Sequence, residues 1–468
     1  MSALQRLLER ALAASDSYVA GALHPYVAAE ARRALEVILL ATPRQRRLWA
    51  AAPYTPYSLL DALVGAAADD VQVLLRVASH PATTADTLRR LVAAAPPSAV
   101  LEAVAAHRHA PAGLLAALPW DWRPAIRRAL CANPATGLAT LRELAACAAL
   151  TELKDIARNP NADALLLRDL WLRGDAYLRA AVAAHPRCPV ELQRAALRSP
   201  DAVVRRKLAE NPAAPAEYLV ELLDDPDAQV RAAAVRSQAL PEDELEARAV
   251  DPAREVRRSE ARRAWLGAAR LERLASDPDV WVRRWLAFNP RVSTAVLRRL
   301  AGDAVAEVRR AVARNPRCPA DLLARLGCDA HPWVRAGVAL RPDIAAATLA
   351  ELVRDSDRDV LSSLGQNSVT PAAVLERIAR HPERDVRRAV ILNRRAPHTA
   401  LRLLLEDPYP LNRMLLARHP QLRVDDRWCL VEDPDPQVRF AAVQTLAAGA
   451  MSEAAGPRQA AATTHPGV

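Results

Sequence analysis

The chain has 468 residues and a net charge of +10, with 51% apolar but only 4% aromatic residues. That length fits about three ordinary domains or one long repeat array. Burial carried by Ala and Leu argues against a β-sandwich and for close-packed helices, and a low count of Gly (13) beside 36 Pro calls for many short elements with sharp stops.

Of the 64 basic residues only Lys154 and Lys207 are lysine. An Arg-, Ala- and Pro-rich chain of this kind reads as the product of a GC-rich genome, so the basic balance points to a solvated surface before it points to phosphate binding. The N-terminus, MSALQRLLERALAASDSYVA, has the pattern of an amphipathic helix carrying Arg6, Glu9 and Arg10, without a signal-peptide core. No apolar run reaches membrane-spanning length. These features predict a soluble cytoplasmic protein with no membrane contact. The six cysteines form no C-x-x-C pair, which predicts reduced thiols and neither a zinc site nor a redox motif.

The stretch VRRAVARNPRCPADLLARL (308–326) reads as helix, break, helix, with the break at Asn315-Pro316. Stepping by 26 from Asn315 lands on Asn289, Arg263, Ser237, Asn211, His185, Asn159, Asn133 and His107 upstream, and on Arg341, Asn367, Asn393, His419 and Thr445 downstream. His80, Ala52 and His24 continue the series at 27- and 28-residue spacing, giving 17 anchors of which seven are Asn and five are His. Such a register marks an internal repeat. Seven before the anchor stands Val or Ile (Val204, Val282, Val308), and three before it another apolar residue (Leu130, Leu286, Val312), all on one helix face. Twelve before it stands Asp, often in DPD, which predicts a helix N-cap at that Asp. Asn at the stop is expected to take the left-handed backbone that ends helices, with Pro blocking continuation and the amide bonding the neighbouring unit. Leucines eight and eleven after the anchor (Leu323, Leu326) predict a second, shorter helix. Neither helix can bury its face alone, so the units must stack.

The unit DPDVWVRRWLAFNPRVSTAVLRRLA from Asp277 resembles the leucine-rich repeat variant family of bacterial repeat proteins, and its DPxxxVR half resembles HEAT repeats. The resemblance covers most of the chain. It implies an all-α fold, an α/α solenoid of short helix pairs (α and 3₁₀) stacked in a right-handed superhelix without a sheet. Some members carry a Cys-ligated iron–sulfur domain ahead of the array; no Cys precedes Cys131, so that domain is expected to be absent. Expected boundaries are an N-terminal helical cap with a degenerate repeat at 1–50, irregular repeats at 51–106, regular 26-residue repeats at 107–446 and a disordered tail at 447–468.

Candidate sites follow from the columns. Arg six before the anchor (Arg205, Arg231, Arg283, Arg309) travels with the capping Asp column, which favours an Asp–Arg ladder over a phosphate-binding row. Asn133, Asn159, Asn211, Asn289, Asn315, Asn367 and Asn393 are assigned to a structural ladder, with the anchor histidines as neutral substitutes. No nucleophile elbow, phosphate loop or metal motif appears, and columns spread along an array do not converge as catalysis requires. No catalytic residue, metal or cofactor is assigned. The informative irregularity is aromatic: Trp281 and Trp333 stand in a column that is otherwise mostly polar, with Trp285 and Phe288 close to Trp281. With Arg258, Arg262, Arg284, Arg310 and Arg314 they form the candidate partner-binding surface, since exposed Trp and Arg together are hot-spot material. The sequence thus predicts a non-enzymatic scaffold holding an acidic protein or peptide near 250–340. Nucleic-acid binding by the outward Arg columns ranks second.

Overall fold

Helices of seven to ten residues are marginal in water, so each needs neighbours, and one unit shows how they are supplied. In the unit anchored at Asn315, the first (A) helix is Ala306–Arg314 and buries Val308, Ala311, Val312 and Ala313. The second (B) helix is Ala320–Gly327, entered through Pro319, and buries Leu322, Leu323 and Leu326. Full burial of such side chains contributes roughly 1.5–3 kcal/mol each. A helices of successive units pack on one another and on the B helices of their own unit, so the core runs between an A layer and a B layer.

The computed structural model describes residues 3–454 except 29–30, 34, 37–42, 52–54, 56, 67, 122 and 264–265. The expected anchor at Ala52 and the expected tail beyond residue 454 lie outside the described residues. Among these residues the elements are α-helices plus one 3₁₀ turn at His24–Tyr26, with no strand, so the fold is all-α. Two compact units form: residues 1–110 with 364–468, and residues 111–363. The B helices are α-helical, five to ten residues long, rather than the 3₁₀ segments that the resemblance implies. The expected boundary at 446 is also passed. The last helix, Pro436–Ala454, runs through it because Leu446 and Ala447 are buried. No described helix is long and apolar enough to cross a membrane.

Two local expectations need correction. The anchor Asn does not adopt the left-handed backbone: Asn315 has φ −70° and ψ 126°, and Asn289 φ −63° and ψ 127°. The following Pro disfavours helical backbone and holds the Asn extended. Two turn bonds complete the corner, Asn315 N–H to Val312 O at 3.0 Å and Cys318 N–H to Asn315 O at 3.0 Å. Nor does the helix begin at the Asp twelve before the anchor. It begins three residues later, and the residue ten before the anchor is the cap: Asp279 Oδ1 accepts from the Trp281 and Val282 amides at 2.9 and 3.1 Å. The earlier Asp closes the link instead, Asp277 Oδ1 accepting the Asp279 amide at 2.8 Å.

Side chains of the anchors tie consecutive units together. A helix end leaves carbonyls without partners, and the anchor amide of the next unit reaches them. Asn315 Nδ2 donates to Ala287 O (2.7 Å) and Asn289 O (3.1 Å), and Asn211 Nδ2 to Ala183 O (2.7 Å) and His185 O (2.9 Å). Asn159 donates to Asn133 O (2.8 Å), Asn289 to Arg263 O (2.5 Å) and Asn393 to Asn367 O (2.9 Å). Each Oδ1 accepts the amide two residues on, as Asn133 does from Ala135 and Asn367 from Val369. Histidine reproduces both bonds. His185 Nε2 meets Asn159 O at 3.0 Å while Nδ1 accepts from the Arg187 amide at 3.0 Å, and His419 does the same with Asn393 and Gln421. That pattern needs a neutral ring, and burial pulls the His185 and His419 pKa values down. Arginine substitutes too: Arg263 donates to Val235 O and Ser237 O, and Arg341 to Asn315 O.

Candidate functional site

The Arg column six before the anchor is taken up by the architecture. Arg283 Nε and Nη2 donate to the Asp303 carboxylate at 2.6 and 3.2 Å, and Nη1 donates to Asp277 O at 2.7 Å. Arg205–Asp225, Arg231–Asp251, Arg257–Asp277, Arg309–Asp329, Arg335–Asp355, Arg387–Asp407 and Arg413–Asp433 repeat this contact, each spanning 20 residues. Burial pushes Asp225 and Asp303 up, but Arg205 and Arg283 with the backbone donors hold both below the usual carboxylate range. These guanidiniums are oriented inward along the stack and are not a free phosphate row.

A different arc of the A helices carries the candidate surface. In Val280–Phe288 the residues Val282, Leu286 and Ala287 face the core. Spacing of three and four residues puts Trp281, Arg284, Trp285 and Phe288 on the remaining arc. The Arg284 guanidinium carbon lies 5.0 Å from the Trp281 ring centre, 5.3 Å from that of Trp285 and 5.7 Å from that of Phe288. Arg262, from the preceding unit, lies 3.8 Å over Trp285. Two guanidiniums and three rings therefore form one cluster, with Trp281 47% exposed. Such stacking orients the cations without neutralising them.

The other predicted residues are placed differently. Arg258 is clamped by Asp279, with Nε–Oδ1 at 3.0 Å and Nη2–Oδ2 at 2.6 Å, so it braces the start of the Trp281 helix. Trp333 is 43% exposed and donates its indole N–H to Asp359 Oδ2 at 2.8 Å. Arg310 is half-buried with its Nε shielded from solvent, and its Cγ would lie 3.2 Å from a Cβ on Gly337; Arg314 is exposed.

Sequence reasoning missed three features. Arg270 and Glu260 form an ion pair only 1% exposed on each side, where Arg270 also donates to Leu245 O and Arg248 O. Burial raises Glu260 above its ordinary value despite that partner. Glu260 stands three before the anchor Arg263, in the column that is apolar elsewhere, so a charge in that column was the signal that could have marked the pair. Another place where two guanidiniums lie over one ring, Arg384 at 4.5 Å and Arg388 at 5.6 Å from the Tyr409 ring, is in the other compact unit. Finally, His24 departs from its fellow anchors. Its Nδ1 faces Ser58 Oγ at 3.0 Å and its Nε2 faces Glu36 at 3.5 Å, beside a cleft of about 770 Å³.

No group of three or more metal-ligating side chains occurs among the described residues. Burial pushes the Cys188 thiol up to about 12 and the Cys318 thiol up to about 11, which makes both poor thiolates.

An engineered protein is 16% identical over 61% of this chain and 95% of its own, with a TM-score of 0.11. A computationally designed armadillo repeat protein for modular peptide recognition is 15% identical over 61% and 97%, TM-score 0.10. A designed armadillo repeat protein in complex with the peptide (KR)4 is 13% identical over 87% and 98%, TM-score 0.09. Scores this low say nothing about function, and the helical repeat fold rests on the chain's own structure. No curated protein matches the chain significantly. The family model described as leucine rich repeat variant matches residues 306–331, one full period around Asn315, and the chain thus carries a leucine rich repeat variant unit.

Proposed function

We propose that the chain is a non-enzymatic, cytoplasmic scaffold that holds an acidic protein or peptide on the Arg/Trp surface near residues 250–340. The observation that carries this reading is the cluster of Arg262 and Arg284 over Trp281, Trp285 and Phe288. Among the described residues these two cations stack on rings while the Arg column beside them is paired with Asp. An acidic side chain arriving there gains charge-assisted hydrogen bonds without having to displace an internal carboxylate. The rings supply apolar area at low entropy cost.

Titration of a Glu-rich peptide against the intrinsic tryptophan fluorescence tests the proposal. The expected result is a saturable emission change, weakened by salt, that a Lys-rich peptide does not produce. Trp281→Ala with Trp285→Ala should abolish binding and leave helical circular dichroism unchanged. An equal affinity for the double variant, or no response to acidic peptides, refutes the reading. Nucleic acid is the second candidate. It requires the outward Arg residues to act without the column already paired with Asp, and predicts a gel shift with duplex DNA at low salt.

A further inference from the structure

The Arg–Asp rungs have an arithmetic that fails at the C-terminal end of the array. Each rung joins an Arg to the Asp 20 residues later. For Arg439 that position is Gln459, which has no carboxylate. Arg439 nevertheless keeps the backbone contacts of the others and one bond to a carboxylate. Its Nη1 donates to Asp433 O at 2.8 Å and Pro434 O at 3.2 Å, as that of Arg283 does to Asp277 O and Pro278 O at 2.7 and 3.2 Å. Its Nε donates to a carboxylate at 2.8 Å, and that carboxylate is Asp16, from the start of the chain.

Asp16 shares two of its counterparts' bonds, though not the second one from the guanidinium Nη2. In a regular rung Oδ2 takes the Arg Nε and Oδ1 takes the amide two residues on, as Asp303 does with Arg283 and with Val305 N. Asp16 Oδ2 takes Arg439 Nε, and Asp16 Oδ1 takes the Tyr18 amide at 3.0 Å. Asp16 also caps the helix Ser17–Leu23, which ends at the anchor His24. That helix therefore stands where the A helix of a next unit would stand, and it packs on Pro436–Ala454. The contact has an apolar body: Phe440 lies 5.0 Å from Trp49, which lies 5.5 Å from Tyr18. A Cβ on Gly21 would fall 2.3 Å from the Trp49 ring, so glycine is what lets the ring approach. Arg10 pairs with Glu432 at 2.8 Å, and Arg6 lies 5.2 Å over Trp428.

We propose that the face around Asp16 and the face around Arg439 are a matched pair of ends, and that the partner each accepts in trans is a second copy of this chain. The two faces differ, so the interface is heterologous and every copy carries both halves. Exchange between copies replaces identical contacts with identical contacts. The intramolecular contact is therefore what holds the chain monomeric, and chains opened at this contact join head to tail. The inference is independent of the Arg/Trp surface, since none of its residues takes part.

Charge reversal on the full chain tests it. Asp16→Arg and Arg439→Glu should each speed hydrogen exchange at the amides of 17–23 by at least about tenfold, the mark of local opening. Combining both changes in one chain should restore most of that protection, short of what the Asp16 cap supplies. By multi-angle light scattering the wild type, each single variant and the double variant should run at the 50.8 kDa chain mass. An equimolar mixture of the two single variants should yield a species of twice that mass. In such a mixture the cation introduced by Asp16→Arg meets the carboxylate introduced by Arg439→Glu only across chains, and the unchanged Asp16 and Arg439 also meet only across chains. Unchanged exchange at 17–23 in the single variants would overturn the proposal. So would a mixture that stays at the monomer mass.

Discussion

Replacing Asn315 separates the ladder from ordinary packing. The side chain is fully buried and makes three hydrogen bonds: to Ala287 O at 2.7 Å, to Asn289 O at 3.1 Å and from the Arg317 amide at 2.8 Å. In Asn315→Ala the Asn289 carbonyl keeps its bond from the Val292 amide. The Ala287 carbonyl and the Arg317 amide lose the side-chain partner they have here. A buried group left unsatisfied costs roughly 1–3 kcal/mol, so the variant should lose about 2–4 kcal/mol. Asn315→His should be milder, because His185 and His419 hold the preceding anchor carbonyl and the amide two residues on at 3.0–3.1 Å, which leaves only the Ala287 carbonyl without its partner. Its cost at pH 7 should be about 1–2 kcal/mol, that of one unsatisfied group. Acidification then sets it apart from the wild type. A ladder histidine must be neutral when folded, and burial keeps its folded pKa low. The unfolded ring takes up its proton first, so the stability of Asn315→His should fall further than that of the wild type as pH drops below about 6.5. Urea unfolding followed by circular dichroism measures the totals, and hydrogen exchange in 306–314 and 280–288 places the loss, since repeat arrays can unfold in parts. A histidine variant as damaged as the alanine variant would refute the reasoning, as would an alanine variant costing under about 1 kcal/mol.

Arg283→Ala strands the Asp303 carboxylate, 7% exposed, without its cation, and should cost about 3 kcal/mol in a thermal or urea melt. Acid should weaken the wild type by the reverse route. Asp225, Asp303, Asp355 and Asp407 are all held below their ordinary pKa values, so their contribution is complete above the unfolded carboxylate pKa near 4 and fades as pH falls through the folded values. A pH titration of ellipticity should show that loss, and it should be smaller in Arg283→Ala. Gly365→Ala gains about 1 kcal/mol of helix propensity but puts a Cβ 2.8 Å from Ala389 Cβ and 3.3 Å from its backbone. Net destabilisation of about 1–2 kcal/mol is expected, read from the urea midpoint, and a stabilised variant would contradict the packing.

The repeat was legible because each column has one physical duty, repeated often enough to be seen. Apolar columns such as Val308, Val312, Leu323 and Leu326 lie in the core as their spacing requires. What the columns could not convey is which of two chemically equal options each residue takes. In DPD either Asp can cap a helix, and the second one does, leaving the first for the Arg of the preceding unit. Asn can end a helix by its backbone or by its amide, and with Pro behind it the amide is used. Arg263 and Arg341 look like broken anchors, yet a guanidinium donates to the same carbonyls. Around the candidate surface, spacing on one helix is enough to gather Trp281, Arg284, Trp285 and Phe288. The partner of Trp333 required a rule between units: equal columns of adjacent units meet, and Asp359 lies 26 residues on in the same column. Asp16 was invisible for the opposite reason, since it stands eight before its anchor and not twelve.

The rungs also change what the net charge means. Each joins one Arg to one Asp, so the whole set adds nothing to the balance of +10. The surplus must therefore reside on cations outside the rungs, and the sequence places many of these in the columns five and one before the anchor: Arg206, Arg236, Arg258, Arg262, Arg284, Arg310 and Arg314. Some of these are neutralised locally, as Arg258 is by Asp279. Arg262 and Arg284 are held against rings instead. A basic composition that says little when averaged over the chain thus becomes, once the internal pairs are set aside, a surplus that includes an arc of A helices beside exposed tryptophan, where an acidic partner would find charge and apolar area together.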